Sequence, residues 1–417
     1  GALQKAYPLG APVTWQSSAM GPKRAAGSSS CWRLGAFVVL AGAGYLVGRS
    51  AHTPSAKPQL RAQPRPRAAA MNSSGAGRPL PPQKVPAGFP KVRSSCGWPA
   101  EAGYPKTVDV ADIIENWNPD ETKLPAEMYS SLCRFDYETD LATALLYRDS
   151  ELPFQIWNLP EANAVSRSWA DPAHLRAKLG ASTKYKCEAS QPGGEANFGA
   201  NHFMYTSGRS FQHKSPPITN VRLSFDDWLA KVDQAKNVSI DVPDTRFYFR
   251  FSASSPSDKA SGWLFDELPF FQPRPSVLLK DPAGQRGIHC RFGMDGVIAE
   301  AHWDGSRNTI AQFYGRRRYI LVDPAESCHM HLLPKDHPSG RHSAVDWSKP
   351  ESWAAFPDFP TMQAHEVVQQ PGDFLYLPTY YLHYIVSLEQ NYQCNTRSGR
   401  DGRQTKVINQ CTPGFAP

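Results

Sequence analysis

The second half of the chain is divided into short apolar runs, and this pattern restricts the fold more than any other feature of the sequence. The runs are four to nine residues long and rich in β-branched and aromatic residues. Turn signals such as Asp281-Pro282, Asp323-Pro324 and Pro371-Gly372-Asp373 separate them. They cover 246–251, 276–280, 296–304, 309–314, 318–322, 366–369, 374–377, 381–388 and 392–397. Many short strands at this spacing predict a mainly β fold, a double-stranded β-helix of the jelly-roll type.

Helix signals come before these strands. Asp171-Pro172 combines an N-cap residue with a helix-starting proline, and Gly180 ends the apolar stretch that follows. Ser224 and Asp227 have the spacing of a capping box. Asp109 precedes another short apolar run. These patterns predict helices that pack against the barrel. The segment 323–365, rich in His, Pro and Ser, is interpreted as a lid or a surface excursion.

Charge is distributed very unevenly along the chain. The sequence has 45 Lys+Arg and 38 Asp+Glu, but its first 100 residues contain 13 of the basic residues and no acidic one. The remainder therefore holds 32 basic and 38 acidic residues. Its composition of apolar and charged residues is that of a globular protein and excludes fibrous or wholly disordered classes. The acidic balance argues against a nucleic-acid partner for this part.

The basic N-terminal part contains one long apolar run. Residues 34–48 carry no charge and lie between Arg33 and Arg49. We interpret 31–49 as an uncleaved single-pass membrane anchor or a cleaved signal peptide, which places the protein in the secretory pathway. An organellar transit segment is the alternative, because the region is rich in Arg, Ser and Ala. Basic residues flank the run on both sides, so its topology stays open.

The predicted organisation follows from these signals. It comprises a tail at 1–30, the hydrophobic segment at 31–49, a disordered Pro/Arg/Ser-rich linker at 50–95, a helical and mixed region at 96–235, the barrel at 236–400 and a C-terminal tail at 401–417. The eight cysteines show no framework spacing, and seven of them follow the hydrophobic segment. Sequons at Asn72 and Asn237 matter only if this part is luminal. The compartment is therefore undecided by the cysteines.

One short motif carries chemistry. In His302-Trp303-Asp304 the imidazole and the carboxylate are two residues apart, so on a strand they face the same side. His383 lies in another predicted strand, 81 residues further on. Two histidines and one carboxylate form the facial triad of non-haem Fe(II) oxygenases, which leaves three neighbouring coordination positions open. We therefore predict a metal centre formed by His302, Asp304 and His383.

A second group of potential ligands was weighed against this one. It consists of Cys328, His329, His331, His337 and His342, all within the segment 323–365. Their spacing does not match a paired-ligand zinc pattern. We interpret them as surface histidines, with a lid that faces the substrate as the alternative.

With these motifs the sequence resembles a known family, the JmjC/cupin-type 2-oxoglutarate oxygenases. It is similar to the small-hydroxylase branch that includes the asparaginyl hydroxylase factor inhibiting HIF. The resemblance rests on AHWDGSRNTIAQFYGRRRYILVDP (301–324), VVQQPGDFLYLPTYYLHYIVSL (367–388), LPFQIWN (152–158) and LSFDDWLAKVD (223–233). It implies Fe(II) as the metal of the triad and 2-oxoglutarate as cosubstrate.

The resemblance also implies a cosubstrate pocket. The family's cation for the distal carboxylate of 2-oxoglutarate falls on Arg317, fifteen residues after His302. Strand alternation sends the neighbouring arginines outward, whereas a solvated basic strand end is the alternative for all three. Tyr248 matches a hydroxyl that binds the same carboxylate, and Asn308 and Asn395 match amide contacts to the cosubstrate.

One position departs from the family. Three residues before the first metal-binding histidine the family often has Thr or Ser, which donates to the cosubstrate, and this chain has Ala299. The hydrogen bond is missing or replaced, which puts the affinity for 2-oxoglutarate in doubt. The class of reaction is unaffected.

Three functions are compatible with these features. The first is a dioxygenase that hydroxylates a protein side chain and releases succinate and CO₂. Histone demethylation is disfavoured because no pattern of a reader domain accompanies the barrel. The second is a membrane-tethered cupin-fold binding module that keeps a metal without turnover. The third, an RNA-modifying oxygenase, is disfavoured by the acidic balance. The substrate, the modified atom and homodimerisation, known in some relatives, stay open.

Overall fold

The computed structural model describes residues 96–129, 132–190, 201–203, 218–236, 245–337 and 339–412. The predicted tail, hydrophobic segment and linker, together with both sequons, lie outside these residues. Within the described ranges, no helix combines the length and the apolar character that a membrane crossing requires.

The described residues form fifteen strands and seven α-helices. The strands are β1 (Val108–Asp109), β2 (Arg134–Asp136), β3 (Phe154–Trp157), β4 (Tyr185–Ser190), β5 (His202–Phe203), β6 (Ile218–Leu223), β7 (Phe247–Ala253), β8 (Gln285–Gly293), β9 (Ile298–Trp303), β10 (Asn308–Tyr314), β11 (Arg317–Val322), β12 (Gln363–Gln369), β13 (Phe374–Leu377), β14 (Leu382–Ser387) and β15 (Asn391–Ser398). The helices are α1 (Val110–Asn116), α2 (Leu141–Asp149), α3 (Pro160–Trp169), α4 (Pro172–Leu179), α5 (Phe225–Lys236), α6 (Trp263–Glu267) and α7 (Gly402–Cys411).

The strands pair into two sheets, which we call the major and the minor sheet. The major sheet has the order β2-β3-β13-β10-β15-β8-β7-β4-β6 and the minor sheet the order β1-β12-β11-β14-β9-β5. Nearly all neighbouring strands are antiparallel, with parallel pairing only between β2 and β3 and between β5 and β9. Two facing, mainly antiparallel sheets confirm the predicted jelly-roll core.

Three apolar clusters stabilise this arrangement. The first lies inside the barrel, where Ile310, Tyr319, Leu375 and Ile385 meet from both sheets. The second covers the outer face of the major sheet with the helices α2 to α6. The third covers the outer face of the minor sheet. Strands such as β9, β11, β13 and β14 thus bury both of their faces, which explains why their runs are apolar at almost every position rather than alternating.

The predicted helix signals are confirmed, with one exception. The Asp171 carboxylate accepts from the backbone N–H of Ala173 at the start of α4. Ser224 and Asp227 exchange reciprocal hydrogen bonds of 3.1 Å at the start of α5, as a capping box requires. Asp109 precedes α1 but makes no cap. Its carboxylate accepts from Gln363 Nε2 at 2.6 Å instead.

Eight of the nine predicted strands are present, and the ninth is wrong. Residues 276–280 form a turn in which the Ser276 hydroxyl accepts from the backbone N–H groups of Leu278 and Leu279. A serine that bonds its own backbone two and three residues on favours a turn over a ladder. Within 236–400, the strand that the apolar pattern missed is β8, in which His289 and Arg291 alternate with buried Ile288, Cys290 and Phe292.

The interpretation of 323–365 as a lid or surface excursion is wrong. Val345, Trp347 and Phe359 are fully buried in the cluster on the outer face of the minor sheet. The Trp347 ring stacks on Tyr384 of β14 at 5.0 Å between centroids. Burying such large rings removes their area from water, so this segment is part of the core.

Three disulfides join distant parts of the described chain: Cys96–Cys133, Cys290–Cys394 and Cys328–Cys411. The second links directly opposite residues of β8 and β15. Cys187 is a buried thiol, and burial raises its pKa well above the usual value for a cysteine. The sequence spacing did not indicate these pairs, because each one joins residues that only the folded sheets bring together.

Candidate metal centre and cosubstrate cavity

Two strands of the minor sheet bring the predicted metal ligands together. His302 is near the end of β9 and lies directly opposite His383 near the start of β14. Asp304 follows β9 by one residue. One ligand atom from each of the three side chains lies within 4.8 Å of the others, and all three side chains are buried. The described residues contain no other group of this kind.

Backbone carbonyls fix the tautomer of both histidines. His302 Nδ1 lies 2.7 Å from the carbonyl oxygen of Glu300, and His383 Nδ1 lies 3.0 Å from that of Tyr381. A carbonyl can only accept, so in both rings Nδ1 carries the proton. Each Nε2 therefore keeps its lone pair for a metal, an orientation that hydrogen bonds of this kind typically impose on metal-binding histidines.

Burial keeps these imidazoles neutral. It lowers the pKa of His302 well below the usual value, and the nearby rings of His383 and His342 lower it further. Burial also lowers the pKa of His383, against the opposing effect of Asp304. A neutral imidazole is the form that binds a divalent metal, so proton competition at neutral pH is small.

The carboxylate is held ionised. Burial alone would raise the pKa of Asp304, but Arg397 and Arg341 outweigh it, and the pKa lies well below the usual value. Arg397 Nη2 is 2.8 Å from Asp304 Oδ2, and Arg341 Nη1 is 2.9 Å from Oδ1. Asn308 Nδ2 donates to Oδ2 at 3.1 Å. Asp304 is therefore an oriented, charged ligand.

A chain of amides continues from the carboxylate across the major sheet. Asn395 Nδ2 donates to Asn308 Oδ1 at 2.8 Å, and Arg291 Nη1 donates to Asn395 Oδ1 at 2.6 Å. Asn308 and Asn395 are on neighbouring strands, β10 and β15. The two asparagines that the resemblance implied thus lie in one network.

Arg317 is buried at the other end of the barrel interior, where β11 begins. Its Nη1 donates to the Tyr248 hydroxyl at 2.9 Å and to Gln393 Oε1 at 2.5 Å. Its Nε donates to Asn391 and its Nη2 to the backbone oxygen of Arg291. All of these acceptors are neutral, and the guanidinium has no exposed surface. Within the described residues it has no carboxylate partner.

The close packing around this guanidinium depends on a glycine. A Cβ at Gly293 would lie 3.1 Å from Arg317 Nη2 and 2.6 Å from Ser387 Oγ, closer than side chains tolerate. Tyr248 and Gln393 line a cavity that also includes the three metal ligands. Its other lining residues are Arg291, Asn308, Ile310, Ile385, Asn395 and Arg397. The cavity therefore connects the metal ligands with the two side chains that Arg317 contacts.

The neighbouring arginines point away, as alternation predicted, but only one of them is solvated. Arg316 pairs with Glu389 at 2.7 Å near the surface. Arg318 is fully buried on the outer face of the minor sheet, where it pairs with Glu366 at 2.8 Å and lies over the Trp117 ring. A solvated basic strand end is therefore wrong for Arg317 and Arg318.

The residues interpreted as surface histidines differ in their location: some lie near the surface and one is buried. Cys328 is in a disulfide, and the His329 and His331 rings pair with Glu326 and Asp358 near the surface. His342 is fully buried instead, and its ring stacks on His302 at 5.0 Å. For this residue the surface interpretation is wrong.

Arg341 and Arg397 lie near the predicted metal ligands and were missed by the sequence analysis, which had interpreted His342 as a surface residue. Arg397 could have been found, because it follows Asn395 by two positions on one strand and so shares its face. Arg341 and His342 gave no such signal. They reach the centre through an isolated bridge between His302 and His342. Arg341 adopts a left-handed backbone with φ of 73°, a conformation that non-glycine residues rarely take.

Ala299 lies in the barrel interior on β9, among apolar side chains. It is opposite Ile385, which lines the cavity. Ala299 therefore offers an apolar methyl group where the resemblance implied a hydroxyl.

Comparison with known proteins places the chain in a family. The family model described as "Cupin-like domain" matches residues 147–396, more than half of the chain. The sequence is 22% identical over 180 residues to tRNA wybutosine-synthesizing protein 5 of Danio rerio, covering 40% of this chain and 50% of that protein. It is 32% identical over 136 residues to Lysine-specific demethylase 8 of Danio rerio, covering 31% and 32% of the two chains.

A third relative carries the JmjC name. JmjC domain-containing protein D of Dictyostelium discoideum is 29% identical over 105 residues, covering 25% of this chain and 23% of that protein. The chain thus spans half or less of the length of the curated relatives described here. The match of the domain model covers strands of both sheets and all three predicted metal ligands. The chain belongs to the cupin-like domain family, together with JmjC-containing relatives.

Proposed function

We propose that the protein is a Fe(II)- and 2-oxoglutarate-dependent oxygenase that hydroxylates a protein side chain. The observation that carries this proposal is Arg317, a fully buried guanidinium whose hydrogen bonds all go to neutral acceptors. A buried charge without a counter-charge is costly, so the site favours an anion. The distal carboxylate of 2-oxoglutarate is such an anion, and an arginine fork binds a carboxylate through two parallel hydrogen bonds.

The donor set fits Fe(II). Two neutral imidazoles with accessible Nε2 atoms and one ionised carboxylate form the set typical of non-haem Fe(II) oxygenases. His302, His383 and Asp304 would hold the metal, and the carbonyls of Glu300 and Tyr381 orient the two rings. The bound metal and cosubstrate supply the oxidation: one oxygen atom of O₂ enters a C–H bond of the substrate and the other enters succinate as CO₂ leaves.

The other residues bind and position the cosubstrate. Arg317 and Tyr248 hold the distal carboxylate, and the amides of Asn308 and Asn395 face the same cavity from the major sheet. The ligands are at most 3% exposed, so bulk water is largely excluded. The missing hydroxyl at Ala299 weakens cosubstrate binding by at most one hydrogen bond, about 1 kcal/mol.

Anaerobic absorption spectroscopy tests the proposal. Addition of Fe(II) and then 2-oxoglutarate to the full chain should produce a metal-to-cosubstrate charge-transfer band, and O₂ should then release succinate. His302→Ala should abolish both signals. Metal binding without a band and without succinate would support the alternative, a cupin-fold binding module.

A protein substrate follows from the charge balance and the resemblance. Residues 101–417 carry six more acidic than basic residues, which disfavours a nucleic-acid substrate. Mass spectrometry of peptides incubated with the enzyme distinguishes the two oxygenase outcomes: hydroxylation adds one oxygen atom, whereas demethylation of a methylated lysine removes a methylene unit.

We further propose that the barrel acts in an oxidising compartment and that 31–49 attaches it to a membrane of the secretory pathway. Three disulfides among the described residues support this, because such bonds persist in secreted and luminal proteins and are rare in the cytosol. The proposed organisation keeps 96–235 as a region packed on the barrel at 236–400. Glycosidase treatment tests the location: loss of mass at the sequons of Asn72 or Asn237 requires a luminal barrel.

A further inference from the structure

Four basic residues form a row across four neighbouring strands of the major sheet. Arg222 on β6 is opposite Lys186 on β4, Lys186 is opposite Arg250 on β7, and Arg250 is opposite Arg291 on β8. We call these four residues the cation row. Like charges at directly opposed positions destabilise a sheet, so an arrangement of this kind is maintained at a cost in stability.

The cation row leads to the metal centre. Arg250 is two residues from Tyr248, so alternation places both on the inner face of the sheet, towards the cavity. Arg291 lines the metal cavity, and it also lines an adjoining groove with the other three members of the row. The groove and the cavity therefore share Arg291 as a common wall.

Exposure increases along the row away from the metal. The Arg250 side chain is 25% exposed and that of Lys186 is 50% exposed. Arg222, at the far end, is exposed as well. A ligand in the groove can thus contact the outer cations from solvent while its inner end reaches Arg291.

The groove has a strong excess of positive charge. Lys184 adds a fifth cation to its lining, and none of its described lining residues is acidic. Glu188, behind the lining, pairs with Arg250 and with Lys186 at 3.1 Å. His289, also in the lining, has its pKa lowered to about 4 by burial and by the charges of Arg291, Arg397 and Arg250.

We propose that the cation row is the binding track for an acidic segment of the protein substrate, next to the residue that is modified. This inference rests on the oxygenase function proposed above and names the class of its substrate. Strands lie about 4.8 Å apart, so the row spans roughly 14 Å. An extended peptide covers this distance with about four or five residues. Two or three aspartates or glutamates in such a segment would meet the row.

An acidic peptide fits better than RNA. The globular part has an acidic balance, and the lining of the groove reverses it locally. Such local complementarity differs from the broad basic face that phosphates favour. Single-stranded nucleic acid also needs aromatic platforms for its bases. Two aromatic residues line the groove, but Phe251 is buried, and Tyr185 is only partly exposed and packs against Phe249 and Phe251.

Fluorescence anisotropy with the full chain tests the proposal. The probes are a labelled peptide with glutamates clustered at its centre, the same peptide with glutamines there, and a single-stranded RNA of the same length. The variant Lys186→Gln/Arg222→Gln removes two exposed cations from the row. Arg167→Gln/Arg274→Gln removes two exposed cations that are not in the groove and serves as the matched control.

We expect the row variant to bind the glutamate peptide roughly three- to tenfold more weakly than the control variant. Each exposed ion pair that is lost should lower the peptide affinity by a factor of up to about five. The difference should shrink in high salt. Equal affinity of the two variants, or tighter binding of the RNA than of the glutamate peptide at physiological salt, would overturn the proposal.

Succinate release without a peptide substrate separates this inference from the proposed function. Both double variants should keep the wild-type rate, because neither changes a residue of the metal or cosubstrate site. If neither the wild-type protein nor the variants release succinate, but the row variant binds the glutamate peptide more weakly than the control variant, the oxygenase function fails and the acidic track stands. If succinate is released but the peptide affinities are equal, the track alone fails.

Discussion

Arg317 Nη1 donates a hydrogen bond of 2.9 Å to the hydroxyl of Tyr248, and both side chains are fully buried. One partner comes from the minor sheet and the other from the major sheet, so the contact crosses the barrel interior. The guanidinium also lies over the Tyr248 ring, 5.3 Å from its centroid. A phenol offers this cation an acceptor without neutralising it, which leaves the positive charge available to a carboxylate.

Arg317→Gln should weaken 2-oxoglutarate binding by at least about 30-fold, because loss of one partner of a buried charged hydrogen bond costs about 2–5 kcal/mol. Calorimetric titration of the protein with 2-oxoglutarate, with Mn²⁺ in place of iron, measures this change without turnover.

Two milder variants give the control. Tyr248→Phe should weaken 2-oxoglutarate binding about tenfold, because it removes one hydrogen bond to a charged group. Arg317→Lys keeps the charge but not the planar guanidinium. Its affinity for 2-oxoglutarate should therefore lie between those of Arg317→Gln and Tyr248→Phe. Wild-type affinity in Arg317→Gln would show that the guanidinium does not contact the cosubstrate.

His383→Ala should reduce the affinity for Mn²⁺ by more than about 100-fold, since loss of a direct ligand costs at least as much as the outer-shell changes that lower affinity 10- to 100-fold. Calorimetry or the electron paramagnetic resonance signal of free Mn²⁺ measures the binding. His365→Leu is the matched control: His365 is also fully buried on the minor sheet but is not in the metal-ligand group. Equal losses in both variants would contradict the assignment.

Removal of the disulfide between β8 and β15 should destabilise the protein. The bond joins residues 104 positions apart, and native disulfides typically contribute about 2–5 kcal/mol to the free energy of unfolding. Urea unfolding of Cys290→Ala/Cys394→Ala measures the loss. Cys187→Ala, which removes a buried thiol outside any disulfide, should cost less. Peptide mapping under non-reducing conditions should recover the three linked pairs, and their absence would contradict the structure.

His365 should make the protein sensitive to acid. Burial lowers its pKa to about 3, and neither ring nitrogen has a hydrogen-bond partner among the described residues. In the unfolded chain the pKa is about 6.5, so as the pH falls below this value the unfolded state binds a proton first. The contribution of His365 to stability is therefore complete above pH 6.5 and declines until about pH 3.

His365→Leu removes this proton uptake. Between pH 7 and pH 5 the variant should lose about 2 kcal/mol less of its free energy of unfolding than the wild-type protein, at about 1.4 kcal/mol per pH unit below 6.5. Urea unfolding at both pH values, with the disulfides intact, measures the difference. Parallel losses in the two proteins would show that the imidazole becomes charged in the folded state.

The sequence predicted the barrel because most strands between 246 and 397 carry their own signals. The runs that became β10, β11 and β13 are apolar at consecutive positions, which is typical of strands buried on both faces. β8 escaped because His289 and Arg291 interrupt its pattern, and these are the residues that face the groove and the cavity. The polar residues that face the groove and the cavity thus interrupt the apolar pattern of the strand that carries them.

The candidate metal ligands could also be named from the sequence. His302 and Asp304 are close in sequence, and His383 could be assigned through the family resemblance. The residues that surround Asp304 were harder to predict from the sequence. Arg341 belongs to a segment that was interpreted as a lid or a surface excursion, and the bridge between His302 and His342 brings this arginine to the carboxylate. Non-local contacts of this kind leave no periodic trace.

The adjacent residues Arg317 and Arg318 serve opposite faces of β11: one guanidinium is left among neutral groups inside the barrel, and the other pairs with Glu366 outside. A slip of this strand by one residue exchanges the two faces. When the slip brings Tyr319 to the position of Arg318, it separates Glu366 from its cation and leaves a buried carboxylate alone. The Arg318–Glu366 pair thereby disfavours this alternative register of the central strand, with or without a bound ligand.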